Sequence, residues 1–145
     1  MEVFRAVTVP EGQRQVIISA LREFLGSKEE IIFCYLFGSF ADKDVLFFRD
    51  IDVAVYVKDE ILATKNSLDY SIDLSLELER LVSEYPVDVV VLNNASLPVA
   101  FHVTEGILLF SRDEDLWTDF VTKTWALYHE HSITSRYVLD DLVSV

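Results

Sequence analysis

Apolar positions along the chain follow two rhythms, one helical and one strand-like. In EGQRQVIISALREFLG, residues 11–26, Val16, Ile17, Ala20, Leu21, Phe24 and Leu25 recur at helical spacing. Pro10 precedes this run and Gly26 closes it, which predicts a helix. EIIFCYLF, 30–37, is β-branched and aromatic and predicts a buried strand. Residues 38–49 read as a loop with a short helix opening at the pair Gly38-Ser39. DIDVAVYV, 50–57, alternates at first and then becomes continuously apolar, a second strand. Residues 66–85 carry both rhythms. SIDLSLELE alternates strictly, yet Leu74, Leu78, Leu81, Val82 and Tyr85 share a helical face. Length and the Leu/Glu content favour a helix ended by Pro86.

VDVVVL, 87–92, predicts a third strand, and 96–104 a short helix with Pro98 in its first turn. ILLF, 107–110, predicts a fourth strand after Gly106. From Asp113 or Glu114 onward the chain reads as one long helix or two, with Asp113 and Asp115 suited to the N-terminal end. This order predicts a small α/β domain, a mixed sheet packed with helices. A single domain is expected over 1–145, with its core at about 10–110 and a C-terminal helical extension at about 113–145.

Composition narrows the function classes. About half of the 145 residues are apolar, so a sizeable core is expected and disorder is not. The formal charge of −13 argues against holding nucleic acid by its phosphates, and against an anionic membrane surface. A basic protein partner is compatible with it. Cys34 is the one cysteine, which leaves no disulfide framework and suggests a reducing cytoplasm. MEVFRAVTVPEGQRQ lacks a basic start and an apolar core, so no signal peptide is expected. No apolar stretch approaches the roughly 20 residues that span a bilayer.

The chemistry gathers around residue 38. Gly38 and Ser39 are followed by ten residues and then by Asp50, Ile51 and Asp52. In a strand, residues two apart point the same way, so both carboxylates project from one face. Two such charges repel, and a divalent cation removes the difficulty; Mg²⁺ favours oxygen ligands and substrate phosphates. The glycine lets a phosphate approach the backbone, and the serine hydroxyl adds a donor. The combination suits a nucleoside triphosphate with Mg²⁺.

This Gly-Ser and Asp-x-Asp pattern resembles the nucleotidyltransferase superfamily of DNA polymerase β and kanamycin nucleotidyltransferase. The resemblance covers roughly residues 10–110. It implies the polymerase β-like fold and a third carboxylate from a later strand, at the place held here by Asp88. It also implies two Mg²⁺ ions at Asp50, Asp52 and Asp88, with ATP as substrate. Gly38 and Ser39 would hold the terminal phosphates. Relatives often carry arginines just after the Gly-Ser pair, where this chain has Phe40, Ala41 and Asp42. The nearby cations are Lys43 and Arg49, the candidates for the triphosphate.

The short length looks most like the minimal nucleotidyltransferases, the MNT group. Many of these pair with HEPN-domain proteins as antitoxins. The resemblance then implies AMP transfer from ATP to a tyrosine of a HEPN ribonuclease toxin. Two alternatives stand beside it: a binding module that neutralises its toxin by occlusion, and a small-molecule transferase of the aminoglycoside type.

Other residues weigh less. His129 and His131 are two apart on a predicted helix and point to different faces. His102 has no ligand partner in sequence. Cys34, in mid-strand, is expected to be a buried structural thiol. Trp117, Phe120, Trp125, Tyr128 and Tyr137 are expected to be core. Trp117, Phe120 and Trp125 cannot all share one face, so the C-terminal helix is also a candidate for partner contact or homo-oligomer formation. Phe47 and Phe48 are either loop anchors or part of a nucleotide or partner surface.

Overall fold

The structure, a computed structural model, describes residues 11–42, 48–83 and 85–143, with the side chains of all but Glu11 and residues 134–143. Nine elements follow in chain order: α1 Glu11–Gly26, β1 Ile31–Phe37, β2 Ile51–Val57, α2 Asp59–Thr64, α3 Ser67–Val82, β3 Val87–Val91, α4 Leu97–Thr104, β4 Ile107–Ser111 and α5 Glu114–Val143. The four strands form one mixed sheet in the order β3-β2-β1-β4. β1 runs antiparallel to both β2 and β4, while β2 and β3 run parallel. This is the small α/β sheet that the apolar rhythm predicts.

β1 and β2 read as nearly continuous apolar runs because they lie centrally and are covered on both faces. On one face Ile51, Val53, Val55 and Val57 of β2 join Cys34 and Leu36 of β1 beneath α1 and α3. On the other, Phe33, Tyr35 and Phe37 of β1 and Ala54 of β2 meet Val103 of α4, with Trp117 and Phe120 of α5 packed against them. The Trp117 indole N–H donates to the Tyr35 hydroxyl at 2.8 Å, so a half-polar pair closes that layer.

The ambiguous segment is a helix. Tyr70, Leu74, Leu78 and Val82 form the buried stripe of α3. Leu68, Ile72 and Leu76 form a second, exposed stripe on its outer side, and the two together produce the strand-like alternation. Asn66 caps the start by accepting from the Asp69 amide at 2.8 Å, and Ser83 ends the helix at φ 56°.

Three differences from the sequence reading have local causes. α2 is absent from that reading because none of its six residues is buried, so no apolar rhythm marks it. The third strand stops at Val91, since Leu92–Asn94 form a 3-10 turn. There the Asn93 side chain both accepts from and donates to the Val57 backbone, at 3.0 and 2.7 Å. At Gly38-Ser39 the described residues form turns in place of a helix. Gly38 has φ 76°, and the amides of Ala41 and Asp42 donate to the carbonyls of Gly38 and Ser39 at 3.2 and 3.3 Å. The C-terminal segment is one helix, Glu114–Val143, whose first half packs on the sheet. Among the described residues no helix is long and apolar enough to cross a membrane.

Candidate active site

Asp50 immediately precedes β2 and Asp52 is its second residue. Parallel pairing of β2 with β3 sets Asp52 directly beside Asp88, and Ile51 beside Val87. Each of the three carboxylates offers an oxygen within 4.8 Å of the others. Among the described residues this is the one group of three or more acidic, histidine or cysteine side chains close enough to share a metal ion. Sequence spacing placed Asp50 and Asp52 on one face; parallel register brings in Asp88 from 36 positions later.

β2 alternation explains which face they share. Ile51, Val53, Val55 and Val57 point into the core under α1 and α3. Asp52 therefore points the other way, with Ala54 and Tyr56, toward the layer of α4 and α5. Antiparallel pairing puts Phe37 opposite Asp52 on that same face. The His102 ring stands edge-on to Phe37, with centroids 5.8 Å apart. α4 thus packs against Phe37, the cross-strand neighbour of Asp52. Gly106 makes that close approach possible, since a Cβ there would run into the Leu36 carbonyl and lie 3.0 Å from the Phe37 Cα. No sequence spacing links residues 37, 52 and 102, so His102 was not legible as a neighbour of the site.

The carboxylates are electrostatically frustrated. Burial, with the charges of Asp50 and Asp88 beside it, pushes Asp52 up to about 7. Burial and a hydrogen bond with Asp88 raise Asp50 as well, against the pull of its own backbone amide and of Arg49. Three carboxylates gathered this closely, with proton affinities raised by burial and by one another, suit a cation site. The donor set is all oxygen, which suits Mg²⁺ or Mn²⁺ and not zinc. Ligand oxygens around Mg²⁺ lie about 3 to 4 Å apart at bond lengths of about 2.1 Å, so modest closure of the three side chains would enclose an ion.

Gly38 lies against this group. A Cβ at Gly38 would collide with Oδ2 of Asp52 and sit 3.2 Å from its Cγ, while the positive φ already disfavours any other residue. Glycine therefore brings the turn backbone up to the carboxylates, where a phosphate would meet both. Ser39 is half-buried at the same turn. Arg49 is exposed and close enough to Asp50 to lower its proton affinity. Lys43 lies outside the described residues.

The remaining candidates sort as follows. Phe48 is 2 % exposed and is a loop anchor; Phe47 lies outside the described residues. Phe40, the first residue after the Gly-Ser pair, is fully buried. Cys34 is fully buried, and burial pushes its thiol up to about 12, so it is no nucleophile. Trp117 and Phe120 face the sheet, while Trp125 and Tyr128 lie with His129 around Phe101 of α4. His131 is exposed, and the Tyr137 side chain lies outside the described residues.

Residues 19–115 match the family model described as Polymerase beta, Nucleotidyltransferase. That is most of the chain, and the protein belongs to this nucleotidyltransferase family. Solved structures share its fold. One is the complex of tri-AMPylated Shewanella oneidensis HEPN toxin with MNT antitoxin, with TM-score 0.63 and 22 % identity over 90 % of this chain and 98 % of that one. A second is a toxin–antitoxin structure with AMP-PNP, with TM-score 0.63 and 24 % identity over 90 % and 98 %. A third is the MntA–HepT toxin–antitoxin, with TM-score 0.57 and 23 % identity over 92 % and 99 %. No curated protein matched the chain in sequence.

Proposed function

We propose that this protein is an MNT antitoxin that transfers AMP from ATP to a tyrosine hydroxyl of a partner HEPN ribonuclease toxin, using two Mg²⁺ ions. The observation that carries the reading is the convergence of Asp50, Asp52 and Asp88 beside the Gly38 turn. Support for the nucleotide and the acceptor comes from the structural relatives, one described with AMP-PNP and one with a tri-AMPylated HEPN toxin.

Asp50, Asp52 and Asp88 would hold the metal. When bound, Mg²⁺ supplies charge neutralisation at the departing pyrophosphate and lowers the pKa of the attacking hydroxyl. The chain's own groups do the rest. Backbone at Gly38 and the Ser39 hydroxyl cradle the terminal phosphates, and Arg49 at the rim adds positive charge. Asp88, the most exposed of the three carboxylates, is the one open to an incoming acceptor and would take its proton, directly or through water. The acceptor oxygen forms a bond to the α-phosphorus, the bond from that phosphorus to the bridging oxygen breaks, and pyrophosphate leaves. The AMP ester stays on the acceptor. A net charge of −13 favours capture of a basic protein. The reading places the reaction in the cytoplasm.

The occlusion reading draws on one observation: the three residues after the Gly-Ser pair, Phe40, Ala41 and Asp42, include no cation. The test separates the readings. The protein is incubated with the toxin, Mg²⁺ and ATP labelled at the α-phosphate. Label on a toxin tyrosine, absent with Asp50→Asn, is the expected result. A tight complex with no label selects occlusion, and label on an aminoglycoside selects the small-molecule reaction.

A further inference from the structure

The carboxylates stand on one face of the sheet, and the backbone that carries them is braced from the other. Phe40 follows Ser39 by one residue, Phe48 precedes Asp50 by two, and Tyr85 precedes Asp88 by three. These rings are 0, 2 and 7 % exposed and belong to the core under α1 and α3. They touch in sequence-distant order. Phe40 and Phe48 meet edge-on with centroids 4.9 Å apart, and Phe48 and Tyr85 meet tilted at 5.3 Å. The Arg14 guanidinium of α1 lies 5.5 Å from the Phe40 centroid and extends the line to the helix.

Each ring thus reports to one part of the site: Phe40 to the Gly-Ser turn, Phe48 to Asp50 and Asp52, Tyr85 to Asp88. Beside the rings, the parallel ladder of β2 and β3 opens at Ile51 and Val87. The Ile51 amide donates to the Pro86 carbonyl at 2.9 Å, and the Val87 amide donates to Glu79 Oε1 at 3.2 Å. Three carboxylates within 4.8 Å repel one another and load the open end of that ladder, where Phe48 and Tyr85 pack together. Aromatic pairs add stabilisation beyond the burial of their rings.

We infer that the Phe40–Phe48–Tyr85 ladder is the positioning element of the site, setting its affinity for a divalent cation from residues that touch neither metal nor nucleotide. The inference rests on the reading of Asp50, Asp52 and Asp88 as a metal site. Removing one ring lets the starts of β2 and β3 drift apart, and ligand geometry loosened by a fraction of an ångström weakens a metal site.

The test is Mn²⁺ titration by calorimetry on the full chain without nucleotide. Tyr85→Leu is expected to weaken Mn²⁺ binding about tenfold. Tyr85→Phe, which keeps the ring, is expected to bind like the wild type. Val57→Ala, a buried change in the same core but about 16 Å along β2 from Asp52, is expected to lower stability and leave Mn²⁺ binding unchanged. Wild-type affinity in Tyr85→Leu, or equal weakening in Val57→Ala, would overturn the ladder alone. Absence of Mn²⁺ binding by the wild type, or undiminished binding by Asp52→Asn, would overturn the metal site and the ladder together. If Tyr85→Leu fails to fold, Phe48→Leu reads the same quantity.

Discussion

The two faces of β2 are built to opposite ends. Under α1 and α3 its residues are Ile51, Val53, Val55 and Val57, all fully buried. Under α4 and α5 they are Asp52, Ala54 and Tyr56, running from a carboxylate to a phenol. One face excludes water along its whole length. The other is closed in the middle by Ala54 and left polar at the end where β3 delivers Asp88. The same seven residues therefore supply stability from one side and electrostatic strain from the other. The contrast teaches that the strain is tolerable because the opposite face is so completely apolar.

The largest expected effect comes from the polar face. Asp52→Ala should lower AMP transfer at least about a thousandfold while leaving the circular dichroism spectrum intact. Transfer assayed with α-labelled ATP checks this, and near-wild-type turnover would show that the two faces do not divide the work. On the apolar face, Leu78→Ala should cost about 3 kcal/mol in urea denaturation, with transfer preserved wherever the variant is folded. Loss of transfer without loss of stability would blur the division.

How much of this contrast was legible in the sequence depends on what carries each part. The period-two rhythm of 50–57 and its aspartates two apart placed both faces of β2, and the Gly-Ser pair located the turn. Asp88 was assigned by resemblance, because register between parallel strands is a property of pairing and not of spacing. α2 has no buried residue and so left no mark. His102 reaches Phe37 through the packing of α4, and the aromatic ladder joins residues 40, 48 and 85 through tertiary contact. Neither carries a local signal. The alternation of 67–82 misleads because α3 has an apolar stripe on each side, one buried and one exposed.

Next in size is a pH effect on the metal-free protein. Asp52 is raised from its ordinary 3.8 to about 7 in the folded state, and Asp50 is raised too. Between those values the folded state holds a proton that the unfolded chain has released. These groups' stabilising contribution is full below the ordinary value and is lost as pH rises through the folded value. Urea denaturation in chelator at about pH 5 and about pH 8 should show Asp52→Asn gaining on the wild type as pH rises. A constant difference between the two proteins would remove the strain from the polar face.

The smallest effect belongs to the rim. Arg49→Ala should raise KM for ATP about three- to fivefold with little change in kcat, as befits an exposed cation screened by solvent. Steady-state kinetics at varied ATP checks it. A fall in kcat with KM unchanged would place Arg49 at the reacting phosphorus instead.

The most direct measurement is anomalous diffraction from crystals grown with Mn²⁺ and a non-hydrolysable ATP analogue. An anomalous peak about 2.1 Å from carboxylate oxygens of Asp50, Asp52 and Asp88, lost in Asp52→Asn, is the expected result. Ordered nucleotide with no peak among those three side chains would contradict it.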